Sequence, residues 1–300
     1  MKRKSGLIIA LFLAAVTLLS GWSSPTSING VTTSNAVQTA KVNPDANKMM
    51  ATISKMIGGR QYGSDNEKKA CEYLKTILKS YGYAPQVQAF QDKITTYDGE
   101  TLDFRSQNLI VVKKNTAKIS KGIIIICAHY DCGGDSQGAN DDASGVSVVL
   151  ETARLMNRLS SAYEIRFVLF GGEEFGLRGS QNYVKNLSDN DKKNIKAVID
   201  LDCIAQKNNV NPKIFNMTGK ENNATRLIKT TSGKQAPSVN KANKEISDYY
   251  VFEELGIPAL CIGQPYDENL LINNSKDVIS LIDKTKLLYV ANIVMRALGH

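Results

Sequence analysis

Between Asn43 and Tyr83 apolar residues recur at three-to-four spacing. Tyr73, Leu74, Ile77 and Leu78 form one stripe that Gly82 closes, and the pattern predicts two helices. Past Val87 the signal changes to short strand-like runs broken by turns. Lys121-Gly122 then opens the unbroken apolar run Ile123 to Ala128, which predicts a fully buried strand. Residues 143–159 place Val146, Val149, Leu150, Ala153 and Met156 on one helical face, and Ile165 to Phe170 predicts a second buried strand. The alternation continues with a helix near 177–187, strands at 195–201 and near 213–217, and a helix around 221–230. A helix at 247–255, a strand at 257–262 and a helix at 284–298 complete it. This order predicts an α/β fold: a mostly parallel central sheet with helices on both faces, a three-layer sandwich. No internal repeat is present.

The N-terminus reads differently. Met1, Lys2, Arg3 and Lys4 lead into the apolar run Leu7 to Leu19, a charged segment followed by a hydrophobic one, as in an export signal. The run is shorter than the roughly 20 residues a spanning helix needs. Leu18-Leu19-Ser20-Gly21-Trp22 resembles a bacterial lipoprotein cleavage box with Trp22 where the lipidated cysteine would stand, which excludes lipidation there. Residues 23–43, rich in Ser, Thr, Asn and Val without a sustained period, read as a flexible tether. The expected organisation is a signal at 1–22, a tether at 23–43 and a single catalytic domain at 44–300. The protein is expected to be exported from a bacterium, secreted or at the cell surface, and to touch the membrane only through an uncleaved signal.

Chain length changes little in this picture, since 300 residues at 42% hydrophobic content suit one large domain or two small ones. The formal net charge of +8 falls to +5 without the three basic residues of the signal. The lysines are scattered, with no basic block, so no nucleic-acid partner is expected. Five cysteines, Cys71, Cys127, Cys132, Cys203 and Cys261, show neither a CxxC pair nor regular spacing. That indicates neither a zinc ribbon nor a disulfide scaffold and leaves at least one cysteine unpaired, and the apolar settings of Cys127 and Cys261 predict small buried hydrophobes.

In an open α/β sheet ligands bind beyond the carboxyl ends of the strands. Each of the three central strands ends in metal-ligand residue types: His129 and Asp131, then Glu173 and Glu174, then Asp202. Two residues apart on an extended segment, His129 and Asp131 face one way, so the imidazole can bind a metal with a carboxylate beside it. Alone, such a pair is better explained by a satisfied histidine at a strand end. Residues 138–145, GANDDASG, form a small-residue loop through which a carboxylate can approach a buried ion, although Asp142 suits a helix cap equally well. Glu173 and Glu174 must diverge, so one can bind metal while the other faces a water. Their attachment to the apolar strand ending at Phe170 makes them unusual, because ionised groups there are costly unless paired or metal-bound.

These segments resemble the co-catalytic zinc aminopeptidases, of which secreted bacterial leucine aminopeptidases are typical. The resemblance runs in order through AHYD at 128–131, GANDDASG at 138–145, GGEEFGLRGS at 171–180, DLD at 200–202 and SDYYVFEELGIPAL at 247–260. It also takes in Gly59-Arg60 and Gly63-Ser64, and covers roughly residues 45–295. It implies that His129 and Asp202 bind one zinc, Asp141 bridges two and Glu174 holds the second. Asp131 would orient His129, and Glu173 would be the general base in hydrolysis of the N-terminal bond of a peptide with a free amino group.

One position departs from that pattern. The histidine expected for the second zinc is Asn273, just before Asp277, and the tyrosine that precedes it in many relatives is Ile272. An amide oxygen binds zinc poorly, so one zinc is expected to be firm and the second weak, absent or replaced by a harder ion, with Asn273, Asp267 or Glu268 as substitute ligands. The alternative is a catalytically impaired peptide-binding protein on the same fold. Side-chain specificity and oligomeric state are not legible.

Overall fold

The structure, a computed structural model, describes residues 44–95 and 99–299. The expected signal at 1–22 and tether at 23–43 lie outside the described residues.

Among the described residues, β1 (Gln86–Thr95), β2 (Thr101–Lys113), β3 (Ile123–His129), β4 (Glu164–Phe170), β5 (Ile195–Leu201), β6 (Lys213–Asn216), β7 (Val239–Lys241) and β8 (Ala259–Gly263) form one mixed sheet in the order β1-β2-β4-β3-β5-β8-β6-β7. At its centre β3 (Ile123–His129) runs parallel to β4 (Glu164–Phe170) and β5 (Ile195–Leu201), and β8 (Ala259–Gly263) continues the parallel order. The apolar run of β3 is buried at every residue because both faces are covered. Ile124, Ile126 and Ala128 face one core, and Ile123, Ile125 and Cys127 face the other, as the two-residue period of a strand requires.

The first core is roofed by α1 (Pro44–Ala51) and α2 (Asp65–Ser80), with α3 (Ala143–Met156), α6 (Asn223–Ser232) and α8 (Lys284–Leu298) beside them. The second lies under α4 (Arg178–Lys185) and α7 (Tyr249–Glu254). The three-layer α/β arrangement is therefore as the sequence predicts. Helix starts are set by local chemistry: Ser64 accepts the Glu67 N–H, Asp142 that of Gly145, and Asp283 that of Thr285.

Three features differ from the sequence reading. The region past Val87 is not a set of short runs but a long antiparallel hairpin, β1 (Gln86–Thr95) with β2 (Thr101–Lys113), whose register runs from Gln86–Ile110 to Thr95–Thr101. Its exposed, polar outer positions blunt the alternation that marks a strand. The short helix α5 (Asp189–Asn194) has no buried residue and so leaves no apolar stripe. The three-residue edge strand β7 (Val239–Lys241) is too short to show a period; it pairs with β6 (Lys213–Asn216). All five cysteines are free and buried, Cys127 and Cys261 among them as their apolar settings predict.

Candidate metal and active site

The carboxyl ends of β4, β3 and β5 lie side by side, so their following residues meet. His129 closes β3 and is fully buried; its Nε2 lies 3.0 Å from Asp141 Oδ1 and 3.8 Å from Asp202 Oδ1. One donor atom from each of His129, Asp141 and Asp202 falls within 4.8 Å of the others. Asp142, the alternative in that loop, is the cap of α3 and points elsewhere, its Oδ1 accepting the N–H of Gly145 and Cys203. The Asp141–Asp142 peptide bond is cis.

Asp131 stands 3.4 Å from His129 Nδ1, on the side away from Asp141. It does more than flank the imidazole. Its two oxygens accept the backbone N–H of Glu173 at 3.1 Å and of Glu174 at 3.2 Å, tying the end of β3 to the loop after β4. That loop needs both of its glycines. A side chain at Gly171 would meet Ser106 Oγ at 2.5 Å and Glu67 Oε1 at 2.7 Å. Gly172, at φ +69°, has the Tyr62 ring 2.6 Å from where its Cβ would be. Tyr62 in turn stacks on Phe104 and Phe175, at centroid distances of 5.2 and 5.4 Å, so the acidic loop rests on an aromatic pile.

The loop from Tyr130 to Asp141 is held from two directions. Asp277 accepts the N–H of Asn140 at 2.7 Å and of Asp141 at 3.1 Å. Arg60, fully buried, donates to the carbonyls of Tyr130 at 2.6 Å, Gln137 at 2.7 Å and Gly138 at 3.1 Å. Glu67, buried beneath the acidic loop, accepts the Ser106 hydroxyl and the Gly63 N–H. Burial first, and Asp131 second, push its carboxyl up to about 8. The sequence by itself assigns no role to Asp277, Arg60 or Glu67. The only local signal was the Ser64-x-x-Glu67 capping pattern, since the other partners are distant in the chain.

Electrostatics at the cluster are lopsided. Burial raises Glu173 well above the ordinary carboxyl range, and Asp248 and Asp202 add to it. Asp141 is raised by burial, and Glu174 is pushed up to about 9 by burial and then by Asp141. Asp202 is held below its usual value because the adjacent His129 outweighs burial. For His129, burial works downward, but Glu173, Asp131, Asp141 and Asp202 together lift the imidazole well above its ordinary value. One imidazole among so many buried carboxylates leaves the cluster short of positive charge. Neither ring nitrogen of His129 nor Asp202 Oδ1 completes a hydrogen bond, a costly state for buried polar atoms. A divalent cation answers both deficits, and one imidazole with two carboxylates is a donor set suited to zinc.

Glu174 stands outside the His129–Asp141–Asp202 trio. Its Oε1 accepts the Gly133 N–H at 2.8 Å, and its Oε2 and the amide oxygen of Asn273 both crowd the place where a Gly133 side chain would begin. Asn273, with φ +56°, therefore faces Glu174. Asp267 and Glu268 are exposed and do not line the cavity above the cluster, which removes them as substitute ligands. That cavity, of about 440 Å³, is floored by Asp141, Glu173, Glu174 and Asp202. Its walls include Phe215, Cys261, Leu270 and Ile272.

A family model described as peptidase family M28 matches residues 108–298. The chain is 33% identical over 199 residues to aminopeptidase YwaD of Bacillus subtilis, covering 64% of this chain and 44% of that protein. It therefore spans less than half of that relative's length. Among solved structures it is similar to an aminopeptidase from Aneurinibacillus sp. strain AM-1, with 23% identity, TM-score 0.78, and 87% of this chain and 94% of that chain covered. It is also similar to a zinc aminopeptidase from Bacillus subtilis, with 21% identity, TM-score 0.73, and 84% and 93% covered. A glutaminyl cyclase of Porphyromonas gingivalis superposes too, with 24% identity, TM-score 0.68, and 84% and 96% covered. At such identities the likeness is one of fold, and this fold carries more than one chemistry.

Proposed function

The chain belongs to peptidase family M28, and on that premise we propose that it is an exported zinc-dependent aminopeptidase in which His129, Asp141 and Asp202 hold the zinc and Glu173 is the general base. The observation that carries this reading is the convergence of three donor atoms within 4.8 Å at the carboxyl ends of adjacent strands, beside a half-buried glutamate in the same cavity. When bound, zinc supplies Lewis-acid polarisation of water and of the scissile carbonyl.

The protein's own residues do the rest. Glu173 takes the proton of the attacking water and returns it to the leaving amine. Burial that raises its proton affinity suits a group that must hold a proton between those two steps. Asp131, through the two N–H groups it accepts, keeps the Glu173–Glu174 loop against His129. The carboxylates of the floor pair with the α-ammonium of a peptide, which favours removal of an N-terminal residue over internal cleavage.

The test is release of the N-terminal amino acid from unblocked peptides, and not from N-acetylated ones, by purified protein supplied with zinc, manganese or cobalt. No release from any peptide with any metal would sink the proposal. Asp131→Asn keeps only one oxygen for two N–H groups. It should weaken metal binding about 10- to 100-fold, as removal of outer-sphere partners does. A competition titration against a chromophoric chelator reads that change, and unchanged affinity would assign Asp131 to the fold alone.

A second metal is weak or absent on this reading, because the amide of Asn273 is what faces Glu174. Metal analysis should give close to one ion per chain, and a ratio near two would overturn this. Asn273 and Ile272 also favour a second reading, a peptide-binding protein with impaired turnover. It predicts binding of unblocked peptides without cleavage.

A further inference from the structure

Five of the residues lining the cavity are acidic, namely Asp141, Glu173, Glu174, Asp202 and Glu245, and one is basic, Lys244. Glu245 uses its carboxylate locally. Its Oε1 accepts the Tyr266 N–H at 3.0 Å, and its Oε2 accepts those of Asn243 at 2.9 Å and Lys244 at 3.1 Å. These bonds fasten residues 243–245 to the segment at Tyr266 and set Lys244 at the cavity rim. The Lys244 ammonium is placed over the Tyr266 ring, 5.9 Å from its centroid. Lys244 is exposed and, among the described residues, forms no ion pair with a carboxylate. The site thus has four carboxylates at the cluster and one available ammonium, that of Lys244, next to Glu245, whose oxygens are taken up by backbone N–H groups.

We propose that Lys244 reads the C-terminal carboxylate of the substrate, so that the preferred substrates are zwitterionic peptides of two or three residues. The inference rests on the aminopeptidase reading above, which places the α-ammonium on the acidic floor. Lys244 and the acidic cluster line one cavity of about 440 Å³, and an extended peptide spans about 3.3–3.6 Å per residue, so a cavity of this size suits a peptide short enough to present both of its charged ends within it. In longer peptides the carboxylate passes beyond Lys244 and the contact is lost.

The test compares Leu-Gly and Leu-Gly-Gly with their C-terminal amides, using the full chain with zinc. The free acids should be preferred about 2- to 5-fold in kcat/KM, mostly through KM, and the preference should shrink at high salt, as expected of an exposed ion pair. Lys244→Gln should bring the ratio close to one, whereas Lys244→Arg should keep it. Calorimetric binding of the same acids and amides to the Glu173→Gln protein gives the ratio without turnover. Absence of cleavage together with a preserved acid preference in binding would therefore overturn the enzyme reading and leave Lys244 in its role. Equal affinity for acid and amide, or a preference that survives Lys244→Gln, would overturn the role of Lys244. Binding of neither would overturn it as well.

Discussion

Glu173→Gln is expected to lower kcat about 10²- to 10⁴-fold, the range that proton transfer by a positioned side chain contributes. Glutamine has nearly the same shape and keeps the backbone N–H that Asp131 accepts, but it cannot take a proton from water. Because Glu173 is not in the trio of candidate ligands, metal content should be unchanged. Stability should move the other way. A carboxyl whose folded-state value is raised contributes stability that is full below its unfolded value, near 4.5, and is lost as pH rises toward the folded value. At neutral pH the metal-free protein therefore carries a cost that glutamine removes, and its thermal midpoint should hold or rise. Activity within tenfold of the parent, at equal metal content, would show that another group moves the proton.

Arg60→Met is expected to cost about 3–5 kcal/mol of stability, the range for leaving the partners of a buried charge unsatisfied. Besides Tyr130, Gln137 and Gly138, Arg60 reaches the carbonyls of Gly58 at 3.3 Å and Ile53 at 3.4 Å, so one guanidinium joins the first helical segment to the loop carrying Asp131. Arg60→Lys should recover little, because a single ammonium cannot span the carbonyls that the planar fork reaches. For a chain of this size the loss corresponds to a fall of roughly 10 °C in thermal midpoint. Activity should fall with it, since the freed loop also positions Asp141. A fall below about 2 °C would show that the carbonyl contacts contribute little.

Arg60 also marks where reading the chain stops being enough. Its five carbonyl partners lie up to 78 positions away, and nothing in the local pattern Gly59-Arg60 says which loop it enters. Asp277 is similar, because a carboxylate whose partners are the N–H groups of Asn140 and Asp141 looks like any surface acid until the loops meet. Glu67 is one more acid in the first turn of a helix, and its bond to Ser106 depends on how α2 packs on β2. Conversely, His129, Asp141, Glu173 and Asp202 were legible because each sits at the end of an apolar strand or in a small-residue loop, where an ionisable group needs a special reason.

By itself, then, the chain determined the α/β order, the buried strands and the positions where chemistry gathers. Hydrophobic period and turn residues are local properties, and the placement of ligands beyond strand ends follows from topology. Tertiary structure gave the distances of Asp141, Asp202 and Asp131 from His129 and tied Asp131 to the loop after β4. It put Asn273 beside Glu174, kept Asp267 and Glu268 out of the cavity lining, and brought Lys244 into the same cavity as the acidic cluster. Those outcomes depend on contacts between segments far apart in the chain, whose geometry is set by the packing of the whole domain.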